Sequence, residues 1–249
     1  MRLSRVYMSD YFRQLDNGCG AEVVNRKLVL YSDQIVGKTD AIDGRLLRLI
    51  GKAAPSVGYI PSSSDPERFF FDQICTYYAA LGASVDVYLE LDTHFFEDAL
   101  PTLSSCDAIH LSGGNTSYFL YWLKQRAMLP VLREYVAGGG VLIGVSAGAV
   151  LMTPDVSTSA LCGDALVEGL SDLSALGLVD FQFLPHFEPG EADIAEIEAH
   201  QRRFSTTLYA CPDGGGIVVD GADLEFFGKV RRFESLQQPG ASVRRYRAG

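Results

Sequence analysis

The stretch Gly139-Gly-Val-Leu-Ile-Gly144-Val-Ser146-Ala-Gly148-Ala-Val-Leu-Met152 decides how this chain is read. Val141 to Val145 has the composition of a buried strand, a G-x-S-x-G pattern follows at once, and small helix-forming residues come next. On such a corner a serine is held in a strained backbone conformation, with glycines on both sides removing Cβ clashes. Its Oγ then projects to the rim of a sheet beside a helix N-terminus, where it can act as a nucleophile. The pattern alone is common by chance; its setting between strand and helix is what carries weight. The plainer reading is a tight turn whose serine only caps a helix.

Outward from this corner, β-rich runs at Lys27 to Tyr31, Val57 to Ile60, Ser84 to Leu89, Ala108 to Ser112 and Leu178 to Leu184 alternate with stretches of helical spacing. The helical stretches are Ala41 to Ile50, Arg68 to Leu81, Ser117 to Val136, with a break expected near Pro130, and Ala192 to Phe204. Strand and helix in repetition predict an α/β fold: a mostly parallel, flavodoxin-like sheet covered by helices on both faces. Ligands in such folds gather at the carboxyl ends of the strands. The tail differs. Gly216 to Asp220, Leu224 to Phe227 and Val230 to Phe233 are short runs split by turns, which predicts a C-terminal β-meander that extends the sheet or caps its edge. Without repeat or linker, residues 27–249 are expected to form a single α/β catalytic domain behind an N-terminal arm of residues 1–26.

The 249 residues are 47% hydrophobic and 21% charged, a composition that can bury a core. Thirty-one acidic against 21 basic residues give a net charge of -10, which argues against nucleic acid or an anionic membrane surface as a partner. Cys19, Cys75, Cys106, Cys162 and Cys211 are odd in number and contain no C-x-x-C pair, so they read as reduced thiols of a cytoplasmic protein. The start, Met1 to Asp10, lacks the apolar core of a signal peptide, and no run reaches the roughly 20 apolar residues that span a bilayer. No cofactor or metal is expected. Ser112-Gly-Gly-Asn-Thr116 lacks the lysine of a phosphate loop and the third glycine of a dinucleotide fingerprint, and no His/Asp/Glu cluster has metal spacing.

Around the candidate nucleophile Ser146, the loop after the Ala108 run supplies Gly113 and Gly114. Their amides, with that of Ala147, are candidates for an oxyanion hole; the plainer reading of this loop is an Asn/Thr helix cap. Four histidines could serve as base. His94 lies in an acidic loop, His110 within a strand and His200 in a charged helix, where a solvated face is expected. His186 follows a strand and Pro185, which puts it on the same rim as Ser146. The orienting carboxylate is sought between the two, among Asp155, Asp164, Glu168, Asp172 and Asp180. Asp164, beside Gly163, ranks first and Glu168 second.

Three motifs taken together, Ser112-Gly-Gly-Asn-Thr116, Gly144-Val-Ser-Ala-Gly-Ala149 and Leu176-Gly-Leu-Val-Asp-Phe-Gln-Phe-Leu-Pro-His186, resemble the peptidase E and cyanophycinase family of serine peptidases over roughly Lys27 to Phe233. The resemblance implies a fold like that of class I glutamine amidotransferases, with Ser146 as nucleophile, His186 as base and the amides of Gly113 or Gly114 and of Ala147 as oxyanion donors. It implies a cytoplasmic serine exopeptidase, monomeric or homodimeric, acting on short peptides in the manner of dipeptidase E. The run after His186 holds Glu188, Glu191, Asp193 and Glu196 before any cation, which predicts no strict preference for an N-terminal aspartate. The alternatives are a catalytically silent binding protein of the same fold and an esterase-type serine hydrolase. Only 40 residues separate Ser146 from His186, an unusual spacing for the esterase fold.

Overall fold

The structure is a computed structural model that describes residues 26–204 and 206–234, so the expected arm lies outside the described residues except for Arg26. Five parallel strands form the heart of the chain. They are β1 (Lys27–Tyr31), β2 (Ser56–Ile60), β3 (Ser84–Tyr88), β4 (Ala108–Leu111) and β5 (Val141–Val145), arranged β3-β2-β4-β5-β1. Two antiparallel strands, β8 (Gly216–Asp220) and β9 (Asp223–Phe227), continue the sheet beyond β1. β1 and β5 pair residue for residue, from Lys27 opposite Val141 to Tyr31 opposite Val145, which brings both carboxyl ends to one rim.

Both faces of this sheet are covered, and for that reason its central strands read as unbroken apolar runs. Leu28, Leu30, Ile109, Leu111 and Leu142 pack with Phe119, Leu120 and Leu123 of α4 (Thr116–Gln125) and Leu132 and Val136 of α5 (Met128–Ala137). On the other face Val29, Tyr31 and Ile143 meet Ile42, Leu46 and Leu49 of α1 (Asp40–Ile50) and Tyr78 of α2 (Phe69–Ala80). Each such fully buried side chain contributes about 1.5–3 kcal/mol. A short α3 (Leu100–Ser105) leads into β4. Among the described residues, no helix is long and apolar enough to cross a membrane.

The long helix expected over Ser117 to Val136 is two. The chain breaks at Ala127, whose φ is 53°, and Pro130 falls in the first turn of α5, where its missing N–H costs nothing. The Leu178 to Leu184 run is a strand only at Gln182–Leu184 (β6), because Leu178, Val179 and Phe181 are already buried against the main core as irregular chain. β6 does not join the main sheet. It pairs in parallel with β7 (Leu208–Ala210), which in turn pairs antiparallel with β10 (Arg231–Phe233), and α7 (Glu191–Arg203) connects β6 to β7. The expected meander is therefore divided: β8 and β9 extend the main sheet, while β10 closes the small one.

Candidate active site

Ser146 follows β5 directly and has φ 50° and ψ -109°, a conformation that costs a non-glycine residue about 1–3 kcal/mol. The surroundings hold it there. Its amide donates to the Tyr31 carbonyl at 3.0 Å, and its carbonyl accepts from Ala149 and Val150, both at 3.0 Å, at the start of α6 (Ala147–Val150). The two flanking glycines are required by close approach. A Cβ at Gly144 would lie 2.4 Å from the carbonyl carbon of Gly148, and one at Gly148 would lie 2.2 Å from the Leu111 carbonyl oxygen. Glycine at both places lets α6 press against β4 and β5. The Tyr31 end of β1 is itself fixed, because the buried Tyr31 hydroxyl donates to Asp43 Oδ1 at 2.8 Å.

His186, also at positive φ (57°), comes from the small sheet and meets the serine across the rim. Ser146 Oγ lies 2.8 Å from His186 Nε2, and His186 Nδ1 lies 2.6 Å from Asp213 Oδ1. A carboxylate can only accept, so Nδ1 carries the proton and Nε2 is left to accept from the serine hydroxyl. Ser32, fully buried at the end of β1, ties these parts together. Its Oγ accepts from the His186 amide at 2.8 Å and lies 2.9 Å from the Cys211 carbonyl and 3.2 Å from Asp213 Oδ1.

The carboxylate on the imidazole is thus neither Asp164 nor Glu168. Asp164 Oδ2 accepts from the Thr116 amide at 2.8 Å and so caps α4 beside Asn115, whose Oδ1 accepts from Tyr118. Glu168 is exposed in the loop that follows. Their geometry is that of a helix start, where an acid satisfies free amides and complements the dipole. Asp213 escaped the sequence reading because it follows His186 instead of preceding it. The available signal was its place in Cys211-Pro212-Asp213-Gly214, a turn directly after a short β-run and hence on the same rim.

The other histidines are engaged elsewhere. His110 is buried with Nδ1 2.8 Å from the Tyr78 hydroxyl, and burial pushes its pKa down to about 3. His94 pairs with Glu90 at 3.2 Å. His200, expected on a solvated face, is half-buried, with Nε2 2.9 Å from Gln182 Oε1 and its ring stacked on Phe204.

Of the expected oxyanion donors, Gly113 abuts the serine: a Cβ there would sit 3.6 Å from Ser146 Cβ. Ala147 opens α6, in the first turn, where helix amides lack internal acceptors. At Gly114, with φ 129°, an added Cβ would lie 2.1 Å from Ser62 Oγ, so this position too is closed to a side chain. Two clefts flank the Ser–His pair. One, of about 410 Å³, runs along Gly113 and Val145 to Asp33 and Gln34. The other, of about 340 Å³, is lined by Pro185, His186, Glu188 and Glu196. A larger cavity of about 1000 Å³ lies at the amino ends of β1 and β5, around Lys27 and Val141, on the opposite rim from the serine.

The model of peptidase family S51 matches residues 28–227, which includes every residue of this constellation. The chain belongs to peptidase family S51. It is a serine-type peptidase by family, and the Ser–His–Asp geometry is the part of the fold that accords with that class. An uncharacterised peptidase of Pasteurella multocida strain Pm70 is 31% identical over 160 residues, covering 61% of this chain and 74% of that relative. A peptidase E of the same organism is 27% identical over 147 residues, 56% of this chain and 62% of the relative. The matched stretch thus spans less than two thirds of that peptidase E. Among solved structures, a putative peptidase E from Listeria monocytogenes EGD-e has the same fold, with a TM-score of 0.66, 24% identity and coverage of 84% of this chain and 100% of that one.

Proposed function

We propose that this S51 chain is a cytoplasmic serine exopeptidase that hydrolyses short peptides through an acyl-enzyme on Ser146. The observation that carries this reading is the continuous hydrogen-bond chain from Ser146 Oγ through the His186 ring to Asp213, with steps of 2.8 and 2.6 Å. Ser146 Oγ attacks the carbonyl carbon of the scissile amide while His186 Nε2 takes the hydroxyl proton. Asp213 holds the Nδ1 proton in place and offsets the positive charge the ring acquires. The amides of Gly113 or Gly114 and of Ala147 receive the negative oxygen of the tetrahedral intermediate; one such donor is typically worth about 3–4 kcal/mol of transition-state stabilisation. His186 then gives its proton to the leaving amine, and a water attacking in the same way releases the acyl group. The free thiols of Cys75, Cys106, Cys162 and Cys211 fit a reducing compartment.

The silent-binder alternative explains the elbow but gives no reason for an imidazole on the serine hydroxyl or a carboxylate behind it. A fluorophosphonate separates the two readings. Wild-type protein should be labelled on Ser146, and Ser146→Ala should lose both labelling and peptide hydrolysis while keeping its thermal unfolding profile. Labelling that persists in Ser146→Ala would remove the serine from this role.

A further inference from the structure

What the site selects is inferred on the basis that Ser146 is the nucleophile. A substrate whose carbonyl oxygen pointed at Gly113 and whose leaving amine pointed at His186 would lay its acyl-donating residue along the Gly113–Val145 wall, toward the cleft of about 410 Å³. Two carboxylates line that cleft, Asp33 and Asp65, and neither lysine nor arginine does. Asp65 is occupied, since it accepts from the amides of Phe69, Phe70 and Phe71 at 2.8–3.1 Å. Asp33, the residue after Ser32, has a backbone hydrogen bond from Gln34 and, among the described residues, no cation within ion-pair distance. Burial raises its pKa and nearby Asp213 adds to the rise, while the Gln34 amide and the His186 ring oppose it. Beside it, Gln34 lines the same cleft but keeps both side-chain polar atoms buried, next to the Tyr78 hydroxyl with which its side chain interacts.

A half-buried carboxylate without a counter-ion at the wall of a cleft is stabilised when a charged donor arrives to pair with it. We propose that Asp33 forms a subsite for an ammonium group on the acyl-donating residue, its carboxylate supplying the charge that pairs with it. The ammonium belongs to an N-terminal α-amino group or to a lysine side chain, and the cleft has room for either. An aspartate side chain in the same place would meet like charge.

Diphenyl α-aminoalkylphosphonates, which phosphonylate an active serine without needing turnover, test this directly. Two reagent pairs are compared: the alanine analogue with a free or acetylated amine, and the acetylated lysine and norleucine analogues. Within at least one pair the ammonium-bearing reagent should label Ser146 about tenfold or more faster in the wild type, as expected for one charge-assisted contact. The pair that shows the preference identifies which ammonium is bound. Asp33→Asn should reduce the ratio to within about threefold, and Asp33→Ser, which removes the carboxylate with a smaller side chain, should do the same and carries the test should Asp33→Asn fail to fold. Because a ratio is read, any general change in Ser146 reactivity cancels. Equal rates within both pairs in the wild type, or a preference that survives Asp33→Asn, would overturn the subsite. Failure of the fluorophosphonate to label wild-type protein would instead remove Ser146 as nucleophile, and this inference with it.

Discussion

Asp213→Asn probes the hydrogen-bond chain at the member that sequence did not supply. In the native site Oδ1 accepts from His186 Nδ1 at 2.6 Å and lies 3.2 Å from Ser32 Oγ. Asparagine keeps the shape but loses the charge and can turn its NH₂ toward the ring. The ring proton is then driven to Nε2, where it can no longer accept from Ser146. For a buried acid the loss is on the order of 10⁴ in kcat. Here the His186 and Asp213 side chains are 43% and 48% exposed, so solvent screens part of the charge effect, and the Ser32 hydroxyl can still steer the amide oxygen toward the ring. We therefore expect a loss on the order of 10³ in kcat, about 4 kcal/mol in the barrier, with KM little changed. The assay is steady-state hydrolysis of Ala-Leu together with the rate of fluorophosphonate labelling. Asp164→Asn is the matched control: it weakens a helix cap, costing about 0.5–1 kcal/mol of stability, and should leave kcat near wild type. A loss below tenfold in Asp213→Asn, or an equal loss in Asp164→Asn, would refute the assignment of Asp213.

Ser32→Ala should lower stability by about 1–3 kcal/mol in urea titration, because it leaves the His186 amide without its buried acceptor, and should also lower kcat as the ring loses its anchor. An unchanged kcat would show that His186 is positioned by other contacts. Gly148→Ala should abolish soluble folded protein or labelling, since its Cβ would lie 2.2 Å from the Leu111 backbone oxygen; normal labelling would mean that α6 shifts freely. His110 has a folded pKa depressed to about 3, so the stability tied to its neutral form is complete above about pH 6.5 and is lost as the pH falls toward 3. Unfolding free energy should fall by about 2 kcal/mol from this group between pH 6.5 and 5, and urea titrations of His110→Gln, which can still accept from Tyr78, should show a shallower acid slope.

What the sequence disclosed follows from how locally each feature is encoded. β1, β4 and β5 are buried on both faces, so their apolar runs are continuous and their boundaries legible. The serine corner is legible because Gly144 and Gly148 are demanded by backbone contacts within one motif. His186 was reachable because it ends a β-run, even though that run, β6, belongs to a second sheet. Asp213 was not, because its neighbour β7 is only three residues long and its partnership with His186 spans α7. The glycine beside Asp164 is a true turn signal, with Gly163 at φ 80°, but the turn serves the start of α4 and not the imidazole. Turn chemistry states that the chain reverses; it does not state which neighbour the freed carboxylate will meet.

The distance between nucleophile and base is set by a segment that has no motif at all. Ser146 rides on β5 and α6, and His186 on β6 of the other sheet, and each has a positive φ whose strain of about 1–3 kcal/mol needs tertiary support. That support comes from consecutive residues of β1: the Tyr31 carbonyl takes the Ser146 amide at 3.0 Å, and the Ser32 hydroxyl takes the His186 amide at 2.8 Å. β1 lies between β5 and β8, with every residue from Leu28 to Ser32 buried, so these two anchors cannot drift apart without disturbing the core of the main sheet. Because the next two residues are Asp33 and Gln34, the same strand end that sets the Ser–His separation also delivers two residues that line the cleft of about 410 Å³. If Asp33 selects the substrate as proposed, positioning and selection are coupled through one short stretch, Tyr31 to Asp33, and a substitution there is expected to change both kcat and substrate preference.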